Sequence, residues 1–169
     1  MARREWKLTK ATKIYKACRT YSDLILDGKL LSIDPSCGSS SSMPGYAIYT
    51  AGELVESGTI EIPDVTRELP YRLQDLLQAL RGQFEVPDIL VTEQIAPRRF
   101  GGGGATGHAS LLRSTGVVYA AYYGVPVIPV RPQAWRKMAP SGWTKSDEGD
   151  AIAIGHCVIE ISRRIKSGE

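Results

Sequence analysis

A chain of 169 residues, 43% apolar and 23% charged, is long enough to bury a single core without disulfide or metal staples. Its net charge of +3 is too small to mark a nucleic-acid binder by charge alone, and no apolar run is long enough to span a bilayer. Residues near Met1 carry no apolar signal-peptide core, so the expectation is a cytoplasmic protein with no membrane partner. Cys18, Cys37 and Cys157 lie far apart, no CxxC occurs, and the only histidines are His108 and His156. Reduced thiols are therefore expected rather than a disulfide framework or a zinc site.

Residues 1–28 read as a basic, partly helical arm. Arg3, Arg4, Lys7, Lys10, Lys13, Lys16 and Arg19 outnumber Glu5, Asp23 and Asp27 there. The four lysines recur every third residue and so spread around part of a helix instead of stacking on one face. From residue 29 to 169 the pattern is that of one α/β domain. Leu30, Leu31 and Ile33 form a buried strand ending on Asp34, with Pro35 and Ser36 turning the chain away. A Gly/Ser/Pro-rich turn follows, including Ser39–Ser42. Tyr46–Thr50 and Leu54–Ile62 are two further strands joined by Ala51-Gly52, with Pro63 as the stop, so the sheet opens with an antiparallel meander.

Leucines at 69, 73, 76, 77 and 80, with Phe84, repeat at helical spacing and predict a core-facing helix over 66–85. Arg67, Glu68, Arg72, Asp75 and Arg81 fall mostly off that stripe. Ile89–Thr92 is a buried-type strand ending on Glu93. Arg98, Arg99 and Phe100 then lead into a tetraglycine run, which has no side chains to pack and is expected to be mobile. A helix over 107–123, stopped by Gly124, carries apolar and tyrosine side chains that suit either core or a dimer interface. Pro126–Val130 is a short strand expected at a sheet edge, and Pro132–Met138 a short helix. The last helix begins near Lys145 and carries Asp147 and Asp150 in its first turn.

Each of these carboxylates has an ordinary structural explanation. Asp34 can cap the Pro35-Ser36 turn, and acidic residues at a helix start are stabilised by the helix dipole. As a set they suggest more, because each stands at the end of an element. Were the first and fourth strands parallel neighbours, Asp34 and Glu93 would project from one region of the sheet, and a helix crossing it would add Asp147 and Asp150. Four such charges repel and need a counter-charge. Divalent cations supply it, and two of them about 3.5–4 Å apart clamp the attacking and leaving oxygens of a phosphodiester.

The segment Leu31-Ser32-Ile33-Asp34-Pro35-Ser36 with Gly45-Tyr46-Ala47 resembles the opening of RuvC-type Holliday-junction resolvases. Thr92-Glu93-Gln94 resembles that family's second acidic motif. Asp147-Glu148-Gly149-Asp150-Ala151-Ile152-Ala153-Ile154-Gly155-His156 is similar to its terminal helix. The likeness runs from about Leu30 to about Ile161. It implies a ribonuclease H-like fold, with a five-stranded mixed sheet (the antiparallel meander, then two parallel strands) flanked by helices. It also implies a homodimeric endonuclease that uses two Mg²⁺, or Mn²⁺ in their place, and nicks opposing strands of a four-way DNA junction.

On that resemblance Asp34, Glu93, Asp147 and Asp150 are the metal ligands, and cleavage leaves 5′-phosphate and 3′-hydroxyl ends. Lys145 is the first candidate to assist at the phosphate and Lys137 the second, while Arg98, Arg99 and Phe100 are candidate DNA contacts. His156 is assigned packing or an outer role. The basic arm, the longer first turn and the tetraglycine run depart from the bacterial pattern and resemble a compact phage-encoded member, which would act in its host's cytoplasm. They also leave open a broader nuclease of flaps and forks. A non-catalytic nucleic-acid-binding module on the same fold is the third reading.

Overall fold

The computed structural model describes residues 12–36, 43–64, 66–95 and 105–168. Two short helices come first, α1 (Lys13–Thr20) and α2 (Ser22–Asp27). The Thr12 hydroxyl caps α1 by accepting from the Tyr15 N–H. Although this segment is basic, Cys18 and Ile25 are wholly buried and join the core formed with the last helix. Burying one such isoleucine is worth roughly 1.5–3 kcal/mol, enough to hold a short polar helix in place.

Strands β1 (Lys29–Asp34), β2 (Gly45–Thr50) and β3 (Glu53–Thr59) form the antiparallel meander. Ala51 and Gly52 turn the β2–β3 hairpin with φ of 52° and 75°, the left-handed region that a two-residue hairpin loop requires. The third strand stops earlier than the expected Ile62. Ile60 instead donates its N–H to the Pro44 carbonyl, and Ile60 and Ile62 turn inward, 0% and 4% exposed.

Helix α3 (Leu69–Gln83) is shorter than the expected 66–85, because Pro70 fixes its first turn and Phe84 is extended. The leucine spacing puts Arg72 off the apolar stripe. It lies instead among the buried residues of α3 with Leu76 and Leu80, while Leu73 and Leu77 are half-buried. Strand β4 (Ile89–Glu93) runs parallel to β1, and after α4 (Ala105–Ala121) strand β5 (Val127–Val130) runs parallel to β4 at the sheet edge. Helices α5 (Pro132–Met138) and α6 (Asp147–Ser167) complete the chain. The sheet order is β3-β2-β1-β4-β5, a mixed five-stranded sheet with helices on both faces.

Alternation along the strands divides the core in two. Leu31, Ile33 and Leu90 pack with Leu76 and Leu80 of α3, with Val118 of α4 and with Tyr122 just beyond its end. Leu30, Ile89 and Val91 face the other way, with Ala151, Ile154, Val158 and Ile161 of α6. Small residues let α6 lie close to the sheet. A Cβ on Gly155 would come within 2.5 Å of the Tyr49 ring and 3.0 Å of Ser32 Cβ. Expectations for Cys37, for the Ser39–Ser42 turn, for Arg98, Arg99 and Phe100, and for the tetraglycine run lie outside the described residues.

Candidate metal and active site

The parallel register pairs Ile33 with Thr92, so the next residues, Asp34 and Glu93, end their strands side by side. Side-chain alternation puts both on the α6 face, since Ser32 and Val91, two residues earlier, face that helix. The α6 N-terminus is held over the same edge. Ser146 caps it by accepting from the Gly149 N–H at 3.0 Å, and Ser57 of β3 donates to Glu148 Oε1 at 2.6 Å. Gly45, the partner of Asp34 across β1–β2, leaves the space that the Asp147 backbone occupies, and a Cβ there would collide with the Asp147 carbonyl.

Four carboxylates therefore face one another electrostatically. Asp34 is only 3% exposed. Burial first, then the charges of Glu93, Asp150 and Asp147, push its pKa to about 8. Among the described residues Ser36 donates to it, with its hydroxyl 3.3 Å from Oδ1, and also favours the charged form of Asp147. Burial likewise raises Glu93, Asp147 and Asp150. The opposing charge on Glu93 and Asp150 comes from Arg136, with a further contribution from Lys145 on Asp150. Asp150 Oδ1 is cut off from solvent and, among the described residues, has no partner in hydrogen-bond geometry.

This is an electrostatically expensive arrangement without a cation. The donor set is all carboxylate, which suits a hard divalent ion. Among the described residues no three such side chains converge closely enough to form a ready-made metal cage. The donor chemistry suits such an ion, and Asp34, Glu93, Asp147 and Asp150 are the residues that would hold it.

Of the residues singled out by sequence, Asp34, Glu93, Asp147 and Asp150 come together at the C-terminal ends of β1 and β4, and Lys145 is exposed beside Asp150. Lys137 is exposed on α5. His156 is half-buried on α6, where burial lowers its pKa and Glu160 and Arg163 act on it in opposite directions. The sequence reading counts Arg136 in a basic cluster with Arg131, Lys137 and Lys145 that suits phosphates, and gives no site role to it or to the two tryptophans near it. Trp135 and Trp143 meet edge to face at 5.9 Å, and the Arg136 guanidinium lies 5.0 Å above the Trp135 ring. The Trp-Arg-Lys run before the acidic helix was the available signal.

Beside Glu93 a cleft of about 580 Å³ opens between α1, the ends of β4 and β5, and α5. Lys13, Arg131, Gln94 and Gln133 supply its polar lining, and no carboxylate is among its described lining residues. Arg131 Nε donates to Gln94 Oε1 at 3.3 Å, which ties the cleft to the residue after Glu93.

No protein-family model and no curated protein matches the chain. Solved structures do match the fold. A Thermus thermophilus RuvC in complex with a Holliday junction substrate superposes with a TM-score of 0.61 at 14% identity, over 81% of this chain and 95% of that one. A second Thermus thermophilus RuvC structure gives 0.57 at 15% identity, over 82% and 96%. The chain thus has a RuvC-like, ribonuclease H-type α/β fold, with its four element-end carboxylates on the α6 face of the sheet.

Proposed function

We propose that this protein is a divalent-cation-dependent DNA endonuclease that resolves four-way junctions. The observation that carries the reading is the meeting of Asp34, Glu93, Asp147 and Asp150 at the C-terminal ends of β1 and β4, with Asp34 buried and its charge unfavoured without a cation. The likeness to RuvC, one structure of which holds a Holliday junction substrate, supports the choice of DNA substrate.

Asp34, Glu93, Asp147 and Asp150 hold two Mg²⁺ or Mn²⁺ ions in this reading. When bound, the ions supply Lewis-acid activation of the attacking water and charge stabilisation at the leaving oxygen. The chain's own part is to position and to neutralise. Ser36 and the α6 cap fix the carboxylates, while Lys145 and Arg136 place positive charge where a scissile phosphate docks. In-line attack leaves a 5′-phosphate and a 3′-hydroxyl.

Residues 29–169 carry the nuclease chemistry. The basic segment 1–28, whose described part docks on α6, adds phosphate-binding charge together with the 580 Å³ cleft, Lys137, Arg98 and Arg99. Phe100 serves as a stacking residue at the branch point. Two opposed nicks call for two sites, and α4 offers a dimer surface, with Leu112 and Tyr119 partly exposed and Tyr123 96% exposed beyond its end. Among the described residues no helix is long and apolar enough to cross a membrane.

The test is cleavage of end-labelled DNA with Mg²⁺, comparing a mobile four-way junction, a flap and a linear duplex for wild type and Asp34→Asn. Paired symmetric nicks in the junction, lost in the variant, are expected. Equal cutting of the flap would replace junction resolution with general branch cleavage. Tight junction binding without any cutting in Mg²⁺ or Mn²⁺ would overturn the enzymatic reading.

A further inference from the structure

Three polar atoms in the α5–α6 region are sealed from solvent and lack any partner within hydrogen-bond geometry: Trp135 Nε1, Trp143 Nε1 and Asp150 Oδ1. Two are donors and one is an acceptor. Trp135 is 0% exposed, and its edge-to-face contact with Trp143 at an interplanar angle of 71° keeps either ring from turning independently. Buried donors in native proteins are almost always paired, so unmade ones beside buried carboxylates need a reason.

We propose that the two indole N–H groups are positioning donors for the candidate metal ligands, Trp135 for Glu93 and Trp143 for Asp150. Each indole favours the charged form of its carboxylate, although neither N–H meets hydrogen-bond geometry. A carboxylate that accepts an indole N–H on one oxygen turns the other toward a cation. Outer donors of this kind fix the orientation of metal ligands and commonly change metal affinity by about 10–100-fold. Arg136, stacked 5.0 Å over Trp135, ties the charge that faces both carboxylates to the same ring. Apolar packing alone has no need of two N–H groups, since phenylalanine would fill these places without a donor to satisfy. The role toward a cation rests on the proposed metal site. The indole–carboxylate pairing does not.

Both can be read separately in the full-length protein. It contains three tryptophans, Trp6, Trp135 and Trp143, so its ¹H–¹⁵N spectrum has three indole cross-peaks, assignable with Trp135→Phe and Trp143→Phe. In EDTA, Glu93→Gln should move the Trp135 peak and Asp150→Asn the Trp143 peak. In wild type, Mg²⁺ should move both saturably. Calorimetric Mn²⁺ affinity should fall about 10-fold in each Phe variant that keeps the wild-type melting temperature in EDTA. Should Trp135→Phe not fold, the carboxylate variants still report on native indoles. Indole peaks that ignore neutralisation of both carboxylates would overturn the pairing. Peaks that respond to the carboxylates but not to Mg²⁺ would uphold the pairing and sink the metal site instead.

Discussion

The buried Ser32 hydroxyl donates to the Ala151 carbonyl across 2.7 Å and so fastens the middle of β1 to the first turns of α6. Asp34 lies two residues further along that strand and Asp150 one residue before that carbonyl, so this bond sets the spacing of the carboxylate site. Ser32→Ala removes the donor and leaves the carbonyl its helical partner. The expected cost is about 1 kcal/mol in urea unfolding. Single-turnover nicking should fall further than in a variant equally destabilised elsewhere, for example Tyr122→Phe, which loses the hydroxyl bonded to the Leu80 carbonyl on the opposite face. Equal losses in the two would show that Ser32 contributes stability alone.

Asp34 makes the cation-free protein sensitive to pH. Burial and its acidic neighbours hold its pKa at about 8, whereas an aspartate in the unfolded chain ionises near about 4. Between these values the folded protein keeps a proton that the unfolded chain has released. Stability from this group is therefore full below about pH 4 and is lost as pH rises toward about 8. In EDTA the urea midpoint should fall across that window, the fall should shrink in Asp34→Asn, and saturating Mg²⁺ should restore the wild-type midpoint at the alkaline end. Matching pH profiles for wild type and Asp34→Asn would contradict this account.

The cleft beside Glu93 carries two cations and two amides and no described carboxylate, a composition suited to a sugar-phosphate strand. Arg131→Ala should weaken junction binding several-fold and lower the slope of log affinity against log salt by about 1, uniformly across junction sequences. Lys13→Ala should act likewise, and the two effects should add because each cation neutralises its own phosphate. Unchanged salt dependence in both would place the DNA elsewhere.

Strand identity, the leucine-rich helix and the acidic element ends were legible because each is encoded locally. Alternation marks β1 and β4, and a 3.6-residue period marks α3 and α6. Where local signals compete, the boundaries moved. Pro70 shortened α3, and Ile60 and Ile62 left the strand to fill the second core cluster. Arg72 shows the limit of periodicity, since its position at the edge of the stripe is settled by what α3 packs against.

By itself the sequence determined which residues can bear charge at element ends: Asp34, Glu93, Asp147 and Asp150 each follow from a strand stop or a helix start. Only the tertiary structure decided that β1 and β4 are parallel neighbours in matched register and that α6 crosses close enough for four charges to act on one another. It also decided that Arg136, and not Lys137, sets its charge against Glu93 and Asp150, and that the indole N–H groups of Trp135 and Trp143 are buried without a hydrogen-bond partner. The reason is physical. A strand's period and a helix's stripe are properties of neighbouring residues, whereas a pKa, an orphaned donor or a cleft arises from groups far apart in the chain that only packing brings together.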